Sequence, residues 1–284
     1  MNVGIIGLGY VGSACEELFK DYFTLNTFDI NKDSNCESVS HLVEKSEIIF
    51  ICLPTPMQKN GSCDLSIINS VLTEINNLNK QKFVVIKSTV KVGTTDIFSS
   101  TYKNLDFIFN PEFLTEANFI EDFKNQDRII IGSHSEDASN ALTNLYQMIY
   151  KDKNNVKIEK TTPINAELVK YVTNAFLSVK VSFANEIYSF AKEINANYNK
   201  VIELAMLDKR LGTTHWSVPG PDGKMGFGGS CFPKDINSLI NSFRDNGIEP
   251  KVLEAAWLRN LTIDRPEKDW LELKGRAVSN EDSE

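Results

Sequence analysis

Short apolar runs recur through the first half of the chain, each separated from the next by an amphipathic stretch. The runs Asn2–Ile6, Thr24–Phe28, Ile48–Cys52, Phe83–Lys87, Phe107–Phe109 and Arg128–Ile131 are rich in Val, Ile and Phe. Continuous apolar character of this kind marks strands buried on both faces. Between them, Val11–Tyr22 and Leu65–Leu78 carry apolar residues at helical spacing. Strands alternating with helices predict βαβ units and a Rossmann-type parallel sheet over residues 1–160. The pattern changes after Lys160. Leu168, Tyr171, Val172, Ala175, Phe176, Val179, Phe183, Ile187, Phe190, Ala191 and Ile194 repeat at helical spacing with no Gly or Pro among them. One long helix over 164–195 follows, about 45 Å long at 1.5 Å per residue. Pro163 stands near its start, where a missing N–H costs nothing. A helix of that length needs a partner along it, either a second helix or a second subunit. Beyond it we expect a short helix Tyr198–Leu207, a Gly- and Pro-rich loop Leu211–Gly229, a helix from Cys231 to Asp245 and a helical segment Val252–Asn260. The fold class is α/β: an N-terminal Rossmann-type parallel sheet, then a helical domain (161–262) with one long helix, then a tail (263–284). The end of that tail, Ser279–Glu284, is acidic and polar and is expected to fray.

Composition narrows the class. The 284 residues are 42% hydrophobic and 24% charged, with a net charge of −8, which excludes a disordered or collagen-like chain. No block of Lys or Arg offers the clustered charge that phosphate neutralisation needs, so no nucleic-acid partner is expected. No apolar run reaches the roughly 18–20 residues of a bilayer span, so no membrane is expected either. The opening MNVGIIGLGYVG lacks the basic start of a signal peptide. Cys15, Cys36, Cys52, Cys63 and Cys231 form an odd set with no CxxC pair. They read as reduced thiols in a cytoplasmic protein, with no disulfide framework and no metal site.

Two stretches carry chemistry. Gly7-Leu8-Gly9-Tyr10-Val11-Gly12 follows a strand and opens a helix, the context a dinucleotide-binding GxGxxG requires. Gly7 permits the turn, Gly9 lets backbone approach a pyrophosphate, and Gly12 lets helix and strand pack closely. Asp29 ends the second strand about 20 residues on, where a carboxylate accepts from ribose hydroxyls and repels a 2′-phosphate. NAD is therefore expected over NADP. In Gly226-Phe227-Gly228-Gly229-Ser230-Cys231-Phe232-Pro233-Lys234-Asp235, a cysteine opens a helix behind a glycine-rich loop. A helix N-terminus and a nearby Lys234 favour thiolate, so Cys231 is a candidate nucleophile. By local physics alone it is as readily a buried small hydrophobe, which is how the other four cysteines are read. Asp235, four residues on, shares its helical face.

Six pieces in order, GLGYVG (7–12), FICLPTP (50–56), KSTVKVGTT (87–95), NPEFLTEA (110–117), ELVKYVTNAFLSVKVSFANEI (167–187) and FGGSCFPKD (227–235), make the chain resemble the UDP-glucose/GDP-mannose dehydrogenase family. The resemblance implies oxidation of UDP-glucose to UDP-glucuronate, in polysaccharide biosynthesis, with two hydrides passing to NAD. It casts Cys231 as the thiol that captures the aldehyde as a thiohemiacetal and then carries a thioester. It places Lys170 and Asn174 at the reacting oxygen; their i, i+4 spacing puts both on one helix face. Asp235, Thr89 and Glu112 would position or activate water. Phe113, Leu114, Glu116, Phe227 and Gly228 would line the sugar pocket. Pro54, Thr55, Ser88, Thr89, Glu116 and Lys234 would join Gly7, Gly9, Tyr10, Val11, Gly12 and Asp29 around the cofactor. Arg210 would reach the substrate of a neighbouring subunit, making a homodimer joined through the long helix. His41, His134 and His215 fall in none of these motifs and read as surface or loop residues.

The chain also departs from the family pattern. Thr115 stands where many relatives have Arg or Ala. No GLAFKPNTDD-like start of a uridine-diphosphate domain follows Pro250, so a natural short form is expected. Trp216, Trp257, Trp270, Lys274 and Arg276 are candidates for stacking or phosphate contact, although such aromatics more often pack. Three alternatives stay open: the same chemistry on GDP-mannose or a UDP-N-acetylhexosamine, an NAD-binding but catalytically silent protein, and a β-hydroxyacid dehydrogenase.

Overall fold

The computed structural model describes residues 1–153 and 155–280. Seven strands form one sheet: β1 (Asn2–Ile6), β2 (Thr24–Phe28), β3 (Ile48–Ile51), β4 (Lys82–Ile86), β5 (Leu105–Phe109), β6 (Arg128–Gly132) and β7 (Lys157–Thr161), in the order β2-β1-β3-β4-β5-β6-β7. Six of them lie where the apolar runs place them. The seventh, Lys-Ile-Glu-Lys-Thr, contains one apolar side chain, Ile158, and sits at the sheet edge, where burial demands little of it. All neighbours run parallel except β5 and β6, which meet antiparallel through Phe109 and Gly132. The sheet is therefore mostly, not wholly, parallel.

Alternation along the strands builds two cores. Ile48 and Phe50 of β3 pack on one face with Phe19, Ile129, Leu145 and Tyr146, whereas Ile49 and Ile51 pack on the other with Leu72, Ile86 and Phe98. The covering helices are α1 (Tyr10–Phe19), α2 (Val39–Lys45), α3 (Ser66–Asn77), α4 (Thr94–Thr101), α5 (Phe119–Lys124) and α6 (Glu136–Ile149). Ser38 and Ser135 cap α2 and α6, each hydroxyl accepting a backbone N–H of the first turn.

Two compact units divide the chain. Met1–Thr55 and Asp64–Lys170 make the first; Pro56–Cys63 and the chain from Tyr171 make the second. The division falls inside α7 (Pro163–Glu193), whose 31 residues realise the long helix. The second unit adds α8 (Tyr198–Ala205), α9 (Phe232–Asp245) and α10 (Lys251–Arg259), the last running on into a π-helical turn at Asn260–Asp264. Phe227, Ile236, Ile240 and Ala256 form one of its cores. The tail is no loose appendage. Trp270 is buried with Ala277, Val278 and Met57, so it packs rather than stacks on a ligand, and Trp216 is likewise buried. Lys274 and Arg276 are exposed. The Met57 N–H donates to Ala277 O at 2.9 Å, and the Ser279 N–H donates back to Met57 O at 2.9 Å. Of the terminal run expected to fray, Ser279 is buried and residues 281–284 lie outside the described residues. Among the described residues, no helix is long and apolar enough to cross a membrane.

Candidate active site

In the first unit, the candidate cofactor residues follow the carboxyl ends of β1, β2, β3 and β4, with Glu116 beyond β5, neighbouring strands that all run the same way. The sheet order reverses beside β1, with β2 on one side and β3 on the other, which is where open α/β sheets bind ligands. The glycine turn is built for close approach. A Cβ on Gly12 would fall 1.8 Å from Gly7 O, so α1 can start against β1 only with glycine there. Gly9 is exposed and a Cβ at that position would enter open space, leaving its backbone and the start of α1 accessible to a pyrophosphate. Asp29 Oδ2 accepts the Leu8 N–H at 2.6 Å, and its Oδ1 accepts from Asn31 and Lys32, so the carboxylate also pins the glycine turn. Tyr10 is exposed beside Phe119, Val11 is half-buried and Pro54 is exposed. The Thr55 hydroxyl donates to Thr89 O at 2.6 Å and the Ser88 hydroxyl to Leu53 O at 2.7 Å, lacing the ends of β3 and β4 together. The residues present fit a dinucleotide.

Lys170 is the most constrained candidate in this unit. Its side chain is 3% exposed, and its ammonium donates to Glu112 Oε1 at 2.7 Å and to Glu112 O at 2.8 Å. A solvated helix lysine would show neither property. Burial works against charge on Glu112, but the Lys170 ammonium and the Leu114 N–H, at 2.7 Å, hold its carboxyl below the usual range. The Phe113 ring lies under the Arg128 guanidinium at 4.2 Å and 5.8 Å from the Lys170 ammonium. Thr115 turns to Asp122, whose Oδ2 accepts both its N–H and its hydroxyl, at 2.8 and 2.5 Å. Glu116 is half-buried.

In the second unit, Cys231 stands at the N-cap of α9, and its carbonyl accepts the Asp235 N–H at 2.9 Å. Asp235 is almost fully buried. Its Oδ2 accepts from the Asn174 amide at 2.6 Å and its Oδ1 from the Lys234 ammonium at 2.5 Å. Burial works against charge on Lys234, but Asp235, Cys231 and Cys63 together hold its pKa above the ordinary value. Asn174 thus meets Asp235 in this unit, one turn along α7 from Lys170. Phe227 is buried and Gly228 half-buried. Arg210 is 88% exposed and pairs with Asp208, its neighbour two residues back.

His134 is exposed and meets Asp96 at 3.0 Å, His41 lies in α2, and His215 is a half-buried loop residue near Phe232. Cys15, Cys36 and Cys52 are buried, whereas Cys63 is half-buried, which the reading as a buried hydrophobe did not anticipate. Several supporting residues carried no signal of their own. Glu167 accepts the Gly93 and Thr95 N–H groups at 2.5 and 2.8 Å and the Thr95 hydroxyl at 2.6 Å, seating the first turns of α7 on the start of α4. Asn110 accepts from buried Lys87 at 3.0 Å and from the Tyr146 hydroxyl at 2.6 Å. Both Lys87 and Asn110 sit inside quoted motifs, where the repeated polar residues between apolar strands were the available clue.

Residues 16–150 match the NAD binding domain of the UDP-glucose/GDP-mannose dehydrogenase family, and residues 164–261 match its central domain. A UDP-glucose 6-dehydrogenase of Haloferax volcanii is 30% identical over 90% of this chain and 68% of its own length. The chain belongs to the UDP-glucose/GDP-mannose dehydrogenase family. A UDP-glucose 6-dehydrogenase of Rickettsia bellii is 37% identical over 75% of this chain, which spans about half (49%) of that relative's length. Among solved structures, a UDP-glucose dehydrogenase of Pyrobaculum islandicum superposes with a TM-score of 0.79 at 30% identity, covering 91% of this chain and 67% of that one. The first unit is thus built on the family's NAD-binding domain.

Proposed function

We propose that this chain oxidises UDP-glucose to UDP-glucuronate in two successive two-electron steps, with Cys231 as the covalent catalyst, in the cytoplasm as a homodimer. The observation that carries the reading is the setting of Cys231: a thiol at the N-cap of α9, flanked by a glycine-rich loop and by Asp235, which Asn174 and Lys234 hold on both carboxylate oxygens. Bound NAD supplies the hydride acceptor for each oxidation. In the reaction Asp235 accepts the proton that the alcohol loses, and the Asn174 amide donates to the oxygen left behind. The Cys231 sulfur adds to the aldehyde, giving a hemithioacetal whose oxygen keeps the proton until the second hydride leaves. The resulting thioester is opened by water, whose proton passes to a carboxylate, and the thiol is regenerated with UDP-glucuronate. The family resemblance gives Lys170, ion-paired with Glu112 at 2.7 Å, the role of stabilising the developing oxyanion. The covalent link also keeps the aldehyde from escaping during cofactor exchange.

Stoichiometry tests this directly. The protein with UDP-glucose and NAD should give two NADH and one UDP-glucuronate, and Cys231→Ala should abolish acid formation. One NADH with free aldehyde, or acid formation by the Ala variant, sinks the mechanism. A panel including GDP-mannose and UDP-N-acetylhexosamines separates the sugar from the chemistry. NAD binding with no turnover on any member would instead mark a silent chain.

A further inference from the structure

The loop that carries Cys231 is gripped at three consecutive residues. The Gly226 N–H donates to Asn185 Oδ1 at 3.1 Å. The Phe227 N–H donates to Asn260 Oδ1 at 2.9 Å, and the Asn260 amide donates back to Phe227 O at 2.9 Å. At Gly228 a Cβ would fall 2.6–2.8 Å from the Cζ, Nε and Nη2 atoms of Arg265, so the guanidinium fills the space a side chain would need. Arg265 is itself 3% exposed and cannot swing away freely. Its Nη2 donates to Asp222 at 2.5 Å and to Asp269 at 2.8 Å, and its Nε donates to the other oxygen of Asp269 at 2.8 Å. Asp269 in turn accepts from Lys224 at 2.6 Å. Arg265 and Asp269 lie beyond residues 164–261, so the family match does not cover this anchor.

We propose that Arg265, clamped between Asp222 and Asp269, is a positioning residue that sets the Gly226–Gly229 backbone and through it the place of the Cys231 thiol. The proposal rests on the reading of Cys231 as nucleophile. A stretch with three glycines in four residues has many backbone conformations, and only contacts from outside can select one. A guanidinium bound bidentately to one carboxylate and singly to another has its position and orientation both fixed. A lysine in its place would supply the charge without the planar fork. Displacing a reacting group by about 1 Å costs on the order of 10²-fold in rate.

The test compares the full chain with its R265K, R265M and D222N variants by three readouts. These are steady-state kinetics with UDP-glucose and NAD, the rate of Cys231 alkylation by iodoacetamide followed by peptide mass, and amide hydrogen exchange at Phe227–Gly229. R265K and R265M should each lose about 10²-fold in kcat with KM for NAD little changed, alter the alkylation rate several-fold and speed exchange in the loop. D222N, a change at a half-exposed residue, should move all three the same way by less. Should R265M fail to fold, R265K and D222N decide. Wild-type alkylation and exchange in the folded variants overturn the proposal, as does full restoration by R265K. Alkylation and exchange need no substrate. A wild-type protein inert on every sugar nucleotide therefore sinks the proposed reaction while leaving the positioning role to be judged by those two measurements.

Discussion

Lys170 and Glu112 show why a buried ion pair is a poor place to remove one charge. With side chains 3% and 9% exposed, the two charges sit away from water at 2.7 Å from each other. Replacing Lys170 by Met leaves the Glu112 carboxylate buried beside Phe113, and such a loss typically costs about 3–5 kcal/mol. Replacing both, as in K170M/E112L, removes the orphaned charge along with its partner. Urea unfolding should therefore place the double variant nearer to wild type than K170M alone. Equal or additive losses would show that the two residues do not act as a buried pair. The burial of Lys170 was legible because its motif set it apart from a solvated helix lysine, which spacing alone did not. Arg265 was not. Its partners are 43 and 4 residues away, and nothing local distinguishes a paired, buried arginine from a solvated one in a polar tail.

The elements were legible in proportion to how much of each is buried. The long helix α7 declared itself because no Gly or Pro follows Pro163 anywhere along it. The edge strand β7 escaped because a strand buried on neither face needs no apolar run, and the reversal of β6 escaped because apolar content says nothing of direction. The tail escaped for a different reason: it is held by charge as well as by Trp270. Hydrogen bonds from Arg265 above all, and then from Lys224, lower the Asp269 pKa to about 2, although burial opposes this. A carboxyl depressed in the folded state contributes stability above its unfolded pKa, about 3.9, and loses it as pH falls through the folded value. The difference in Tm between wild type and D269N should accordingly be largest near neutrality and shrink between about pH 4 and pH 2. A difference that stays constant down to pH 2.5 would mean that the charge of Asp269 does not hold the tail.

At the scale of the molecule, α7 carries an apolar stripe that the described residues leave exposed. Leu168, Val172, Phe176, Phe183 and Phe190 follow one another at spacings of four, four, seven and seven residues, which keeps them on one side of the helix. All five are exposed, Phe176 and Phe190 by 66% and 62%. A stripe of large side chains in water suits an interface; in the proposed homodimer its partner would be a second copy of the same helix, which would also bring Arg210 to the neighbouring subunit. Arg210 stands 88% exposed and, among the described residues, its side chain pairs with its neighbour Asp208, so its charge is presented outward. The combined F176E/F190E variant should halve the mass found by light scattering, from twice that of the chain to that of one chain. R210A and C231A, each inactive alone, should regain about a quarter of wild-type activity when their subunits are exchanged, because half of the dimers then contain one intact site assembled from both chains. A wild-type protein that is monomeric and fully active would refute the shared site. A dimer in which the mixed variants stay inactive would keep the interface but remove Arg210 from the partner's chemistry.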